Sequence, residues 1–432
     1  MTSTITHQLI DKAIKKAQSA QASIWEGEST SISFENDKLK STQSLQQTSI
    51  AVKVILNEKI GASITTDIND LDGVVERALE TAEFGKPAHF QFPGPQPSTP
   101  VKVYDPEVLS ITKQTMIQTG QEMIDLVKNY NPEILASAFI NKHVNRYEFS
   151  NSNGTQFITE DTGYDLGTGG QLVRGTDILF AGHGFGWKKH EINHTEIANR
   201  AIHWFKLAEK IAPLQSGDMP IIFTPEGLSV LLLSLQLGIN GKDVLLSESP
   251  LAGKLGDQIA DPSFSMYDNP LIDFAMRSSP FDGEGVPHRV TPIIKDGIMK
   301  NFLYDLDTAA RAGVKSTGNG EGCNPTNIVI NPGTTPYETM VKNTKQGLLV
   351  HDVMGLGQGN PISGEFSINV VLGYKIENGE IVGRVKDTML AGNVYNALKN
   401  IAAISTESEW VTGWFTGLFP YIQIGALSVI TK

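Results

Sequence analysis

The sequence predicts an α+β protein: an N-terminal α/β-sandwich-like domain followed by a β-rich C-terminal domain with mostly antiparallel strands. Two observations predict this class. Polar and apolar residues alternate through 31–67 and again through 134–191, and helical periodicity surrounds both stretches. The second half then reads mainly as short strands and turns. With 432 residues the chain can form two domains, which we place at 1–212 and 213–432.

The first elements follow from the periodicity of apolar residues. A helix is predicted over 8–18, because one face would carry Leu9, Ile10, Ala13, Ile14 and Ala17. Turn residues at 36–37 and 57–58 divide the alternating stretch 31–67 into at least three antiparallel strands. A second helix is predicted over 71–84.

The middle of the chain continues this alternation of helices and strands. Asp105 and Pro106 predict a helix start, since they supply a capping side chain and a proline in the first turn. Residues 151–154, Asn-Ser-Asn-Gly, have the composition of a hairpin turn. A helix is predicted over 195–211 and a very apolar one over 225–237.

The composition excludes several classes of protein. A formal net charge of −12 argues against direct binding of nucleic acid, which needs a basic surface. Cys323 is the single cysteine, so neither an intrachain disulfide nor a cysteine-rich zinc site can form. The longest apolar run, 230–233, is too short to span a membrane. We therefore expect a cytoplasmic protein without a membrane partner.

One short motif is typical of zinc peptidases. His190, Glu191 and His194 match H-E-x-x-H, in which two histidines bind zinc and the glutamate activates water. The motif works only inside a helix, where positions i and i+4 share a face. Here Asn193 and Glu196 form a capping-box-like start, which predicts that the helix begins at Asn193. We therefore interpret the motif as a strand end and a helix start.

A second group of polar residues lies in a glycine-rich turn. The segment FDGEGVPHR suggests either residues that line a peptide channel or a dimer contact, or a turn whose side chains cap their own backbone. The residues concerned are Asp282, Glu284, His288 and Arg289. His183, His203 and His351 stand alone in the sequence, which is typical of surface or hydrogen-bonded core histidines.

Several sequence segments, in order along the chain, resemble the TldD/PmbA (modulator of DNA gyrase) metallopeptidase family. The strands at 31–67 look like the first domain of that family. The segments with the strongest resemblance are SESPLAGKLGDQIADPSFSMYDNP (247–270), FDGEGVPHRVTPIIKDGIMKNFLYD (281–305), STGNG (316–320), NIVINPGTTPYETM (327–340), NPISGEF (360–366) and GYKIENGEIVGRVKDTMLAGN (373–393).

The resemblance implies a two-domain protein that dimerises, often with an unlike family member. One subunit type binds zinc through a helical H-E-x-x-x-H motif and a later cysteine. The pair degrades or trims unfolded peptides, as in leader-peptide maturation and antitoxin turnover. The PmbA (TldE) type lacks the metal ligands.

Carried over to this chain, the family motif falls on Leu233, Ser234 and Gly238, and no cysteine occurs at 354–359. The resemblance therefore implies a PmbA/TldE-type subunit without catalytic residues or a cofactor of its own. Its expected partners are a TldD-like, zinc-bearing family member or a second copy, and an unfolded peptide. Two alternatives stay open: a self-sufficient metallopeptidase that uses the H-E-x-x-H residues, and a non-enzymatic interaction protein that modulates gyrase.

Overall fold

The computed structural model describes residues 5–431. Its N-terminal half contains a six-stranded sheet in the order β3-β2-β1-β4-β5-β6, and every neighbouring pair is antiparallel. The strands are β1 Ser19–Glu35, β2 Lys38–Leu56, β3 Lys59–Thr65, β4 Leu135–Asn151, β5 Gln156–Arg174 and β6 Asp177–Trp187.

Five helices cover this sheet. Those at the β3 end pack on an aliphatic core, and the longer ones pack against β4, β5 and β6. The helices are α1 Ile5–Ala13, α2 Leu71–Ala82, α3 Glu107–Ser110, α4 Lys113–Tyr130 and α5 His194–Leu207. The predicted α+β class of the N-terminal half is confirmed.

Both predicted turns between the first strands are confirmed. Asn36 and Asp37 have φ of 49° and 69°, and Asn57 and Glu58 have φ of 51° and 60°. Two consecutive left-handed residues are the geometry that matches the twist of a two-residue hairpin. The turn between β4 and β5 also lies where composition predicted it, with Gly154 at φ 91°.

Several predicted helix ends are wrong. The first helix ends at Ala13, five residues short of the predicted end at residue 18, because the chain must turn to enter β1 at Ser19. The helix start predicted at Asp105 and Pro106 is confirmed by α3, which ends before the extended residue Ile111; α4 then starts from the cap residue Thr112. The apolar helix begins at Ser229, since the hydroxyl of Thr224 holds the preceding residues in a turn.

The second half contains an eleven-stranded sheet with the path β10-β9-β8-β11-β17-β15-β13-β12-β7, on which β14 pairs with β13 and β16 with β17. Among the strand pairs of this sheet in residues 5–431, only β11–β17 and β12–β7 are parallel, which confirms the predicted mostly antiparallel class. The strands are β7 Gly217–Phe223, β8 Met266–Asp268, β9 Thr291–Lys295, β10 Ile298–Met299, β11 Ile328–Ile330, β12 Gln346–Met354, β13 Glu365–Glu377, β14 Glu380–Arg384, β15 Thr388–Asn393, β16 Ile401–Val411 and β17 Gly417–Thr431.

Strand β7 closes part of this sheet into a barrel. It pairs with β12 on one side and with β17 on the other, so β17, β15, β13, β12 and β7 form a closed ring. Closure removes exposed strand edges and encloses an apolar core. The helices of this half are α6 Ser229–Gly238, α7 Gly241–Leu245, α8 Leu306–Ala312, α9 Tyr337–Asn343, α10 Val394–Lys399 and a 3₁₀ helix Pro361–Ser363.

The two halves share one apolar core at their junction. Trp204 of α5 packs with Leu372 and Tyr374 of β13, and the Tyr374 hydroxyl donates to the Trp204 carbonyl at 2.8 Å. The first sheet uses residues 19–187 and the second 217–431, and the domain border between them stays a prediction. Within the described part of the chain, no helix is long and apolar enough to cross a membrane.

Candidate functional site

The positions of the expected family motif lie on α6. Leu233 is partly buried against the barrel core, Ser234 is 3 % exposed, and Gly238 is buried at the end of the helix. Zinc in proteins is bound by thiolate, imidazole or carboxylate groups. An alkyl chain, a neutral hydroxyl and a glycine supply none of these, so these three positions do not fit a zinc ion.

Tyr395 of α10 occupies the space beside these positions. Its hydroxyl lies 3.1 Å from the carbonyl of Ser234 and 3.1 Å from that of Ile362, and so can donate to either. A Cβ on Gly238 would lie 2.5 Å from this hydroxyl and 3.2 Å from Leu251. The tyrosine therefore fills the volume that a larger side chain at Gly238 would need, and it connects α6 to the 3₁₀ helix.

We expect Gly238→Ala to lower the free energy of unfolding by about 1 kcal/mol. Overpacking against Tyr395 costs about 1–3 kcal/mol, which exceeds the gain in helix propensity of about 1 kcal/mol. In a Tyr395→Phe background the 2.5 Å contact disappears and the weaker 3.2 Å contact with Leu251 remains, so the same substitution should be close to neutral. Urea unfolding of the wild type, the two single variants and the double variant measures the coupling between these two positions. Equal effects of Gly238→Ala in both backgrounds would contradict the prediction.

The H-E-x-x-H residues lie at a helix start, as the sequence predicted. Helix α5 begins at His194, and the Asn193 side chain accepts hydrogen bonds from the backbone N–H groups of Thr195 and Glu196. His190 and Glu191 precede the helix. The two histidines therefore do not occupy the i and i+4 positions of one helical face.

Each of these residues has a separate partner. His190 Nδ1 lies 2.8 Å from Asp105 Oδ2 and its Nε2 lies 2.9 Å from Glu107 Oε2, and the hydrogen bond to Asp105 raises the His190 pKa. His194 Nε2 lies 2.8 Å from Glu122 Oε2, while Glu191 pairs with Lys189. Across residues 5–431, no group of three or more His, Cys, Asp and Glu side chains is arranged to hold a metal ion.

In the turn predicted from FDGEGVPHR, Asp282, Glu284 and His288 are buried and Arg289 is exposed. The four side chains bond mainly to backbone. Asp282 accepts from Glu284, Val286 and Gly320, and Glu284 accepts from Leu306. The two remaining candidates bond in the same way: His288 to the Ser279 carbonyl and Arg289 to the Ser316 carbonyl. These contacts fit the capping alternative. None of the four side chains lines the cavity described next, and a role in a dimer contact stays a prediction.

A cavity of about 1300 Å³ lies between the first sheet and the barrel. Strands β4, β5 and β6 form one wall through Leu135, Phe139, Phe180, Phe185 and several glycines. The opposite wall comes from the C-terminal half. Its polar residues are Glu226, Arg277, His351, Asp352, Thr412 and Thr416. The volume exceeds the roughly 300–1,000 Å³ of small-molecule pockets, so the cavity can accept a larger ligand.

Three residues of the cavity form a His–Glu–His triad. Glu226 Oε1 lies 3.2 Å from His183 Nδ1, and Glu226 Oε2 lies 3.8 Å from His351 Nδ1. His351 also lies 3.0 Å from the Thr224 hydroxyl and stacks on Trp204 at 3.7 Å between ring centroids.

The environment fixes the charge of two members of the triad. Burial lowers the pKa of His351 to about 4, so this imidazole is neutral at pH 7. Burial opposes ionisation of Glu226, but the hydrogen bond from His183 and the nearby histidines outweigh it and lower the Glu226 pKa to about 2. Glu226 is therefore a carboxylate with 27 % of its side chain exposed.

Sequence reasoning missed this triad, because His183 and His351 stand alone in the chain. The fold brings them together. His351 lies in β12, one residue beyond Val350, and Glu226 lies three residues beyond the end of β7 at Phe223. Val350 and Phe223 are the last paired residues of these two parallel strands. Both residues therefore lie at the carboxyl end of the paired segment, so the pairing of β7 with β12 is the signal that could have located the site.

Comparison with known proteins finds two matching family domains and several relatives. Residues 216–431 match the PmbA/TldA metallopeptidase C-terminal domain and residues 23–82 match PmbA/TldA metallopeptidase domain 1. The metalloprotease PmbA homolog of Haemophilus influenzae is 23% identical over 428 residues, covering 94% of this chain and 92% of that protein.

Two solved structures have the same fold. A Thermotoga maritima protein (TM0727), described as a candidate modulator of a DNA gyrase, is 25% identical, with a TM-score of 0.91 over 99% of each chain. TldE from Thermococcus kodakarensis is 21% identical, with a TM-score of 0.92 over 99% of this chain and 100% of that one. The matched domains span at least half of the sequence. The chain therefore belongs to the PmbA/TldD metallopeptidase family.

Proposed function

We propose that this chain is the metal-free, PmbA/TldE-type subunit of a TldD/TldE-type peptidase. In this role it binds unfolded peptide and forms the dimer, and a TldD-like partner supplies the zinc. The peptides would be substrates of leader-peptide maturation or antitoxin turnover, and the complex would work in the cytoplasm. Hydrolysis would then depend on the complex and not on this subunit alone.

The observation that carries the proposal is that the side chains at three positions of α6 cannot bind a metal ion. By the family resemblance, Leu233, Ser234 and Gly238 correspond to the two histidines and the glutamate of the zinc motif, and Tyr395 fills the adjacent volume. A zinc ion at these positions would need both new ligands and the removal of a hydrogen-bonded tyrosine. The large cavity between the two halves supports the peptide-binding part of the proposal.

The two alternatives have less support. A peptidase that uses His190, Glu191 and His194 would need these side chains to converge, whereas each pairs with a different group. Gyrase modulation rests on the description of a structural neighbour.

Elemental analysis tests the proposal. We expect no stoichiometric zinc in the purified chain, and zinc together with peptide hydrolysis after mixing with a zinc-bearing family member and isolating the complex. The double variant His190→Ala/His194→Ala is the matched control and should leave both results unchanged. Stoichiometric zinc in the isolated chain, lost in this variant, would replace the proposal with the self-sufficient peptidase.

A further inference from the structure

The cavity between the two halves carries an excess of carboxylates. Its acidic lining residues are Glu35, Asp165, Glu226 and Asp352. Its described basic lining residues are Lys40 and Arg277. The histidines of the triad do not reverse this balance, because His351 is neutral at pH 7.

Both basic groups are already bound within the protein. Lys40 forms an ion pair with Glu35. Arg277 Nη2 donates to the carbonyls of Gly413 at 3.1 Å and Trp414 at 3.0 Å. Neither cation pairs with Glu226, so this carboxylate has no described lysine or arginine partner and faces the cavity.

Glu226 differs from the other carboxylates of the cavity. Burial raises the pKa of Asp165 and that of Asp352, so the protein disfavours the charged form of both. Asp165 also accepts a hydrogen bond from Asn141, and Asp352 from the backbone of Val353. Glu226 stays ionised, is held by His183, and keeps part of its side chain open to the cavity.

The walls suit an extended chain. Glycines of β5 and β6, including Gly182 and Gly184, line the cavity, and the absence of side chains there lets a ligand backbone approach closely. Phe139, Phe180 and Phe185 add apolar surface beside them. A peptide could lay its backbone on the glycine surface and extend a charged group to the triad.

We propose that Glu226 is the binding site for a cationic group of an extended peptide, either its α-ammonium or a lysine or arginine side chain. The inference rests on the proposed function in taking a peptide as the ligand. A buried ammonium–carboxylate contact strengthens binding as a charge-assisted hydrogen bond. Glu226 would thereby give this subunit a preference for basic peptides.

Isothermal titration calorimetry on the isolated full chain at pH 7 tests the proposal. Three short Gly/Ser/Ala peptides serve as probes: N-acetylated with one lysine, N-acetylated with glutamine in its place, and the glutamine peptide with a free amino terminus. We expect a cationic peptide to bind about tenfold more tightly than the neutral one, as about 1.4 kcal/mol implies. The lysine and free-amine peptides distinguish the two sources of charge.

Glu226→Gln should abolish the preference, whereas Glu76→Gln, which removes an exposed carboxylate on α2, should leave it unchanged. Equal binding of all three peptides, no binding at all, or a preference that survives Glu226→Gln would overturn the inference. The wild-type comparison needs no variant, so misfolding of Glu226→Gln cannot hide the answer. Because this test involves no metal, its failure is distinct from a stoichiometric zinc content, which would reject the proposed function.

Discussion

Asp282→Ala is expected to lower the free energy of unfolding by about 3 kcal/mol at pH 7. The Asp282 carboxylate accepts from the N–H groups of Glu284 at 2.9 Å, Val286 at 2.8 Å and Gly320 at 2.9 Å, and the residue is 6 % exposed. Each buried N–H left unpaired costs about 1–3 kcal/mol.

One effect works in the opposite direction. Burial raises the pKa of Asp282 to about 6, so removal of its charge raises the free energy of unfolding by about 3 kcal/mol. The three lost hydrogen bonds, at about 6 kcal/mol together, are the larger effect.

Asp282→Asn is the matched variant for this prediction. The amide keeps the oxygen that accepts from Glu284 and Val286, loses the acceptor for Gly320, and removes the buried charge. These changes nearly cancel, so we expect a stability within about 1 kcal/mol of the wild type. Urea unfolding measures both variants. If alanine and asparagine gave the same stability, capping of the turn would not be the role of this side chain.

The local structure could largely be predicted from the sequence. Alternation located the long strands of the first sheet, and Asn36, Asp37 and Asn57 marked its turns because Asn and Asp tolerate positive φ. Asn193 predicted the start of α5 correctly, since capping depends only on neighbouring residues. Helix ends were less predictable, because tertiary contacts such as the entry into β1 decide where a helix stops.

Long-range pairing could not be predicted in the same way. No local pattern indicates that β7 pairs with both β12 and β17 and so closes the barrel. The His–Glu–His triad depends on that closure, and each of its members is unremarkable in its own segment. Tyr395 was missed for the same reason, because its role depends on α10 lying against α6.

The free energy of unfolding of the wild type is expected to fall by about 3 kcal/mol between pH 4.5 and pH 7 because of the ionisation of Glu284 alone. This residue is 5 % exposed, and burial raises its pKa from 4.5 to about 7. Between these values the folded state keeps a proton that the unfolded state has lost. Stability therefore decreases as pH rises through this window, by about 1.4 kcal/mol for each unit of pKa shift.

Glu284→Gln should remove this dependence. Its amide oxygen can still accept from the backbone N–H of Leu306, which the Glu284 carboxylate does at 2.8 Å, and no charge is buried at any pH. The variant should match the wild type near pH 4.5 and exceed its stability by about 3 kcal/mol at pH 8. Urea unfolding across this range, with Glu76→Gln as the exposed control, measures the difference. Parallel curves for Glu284→Gln and the wild type would mean that Glu284 titrates normally. The burial of Glu284 in this turn would then carry no electrostatic cost.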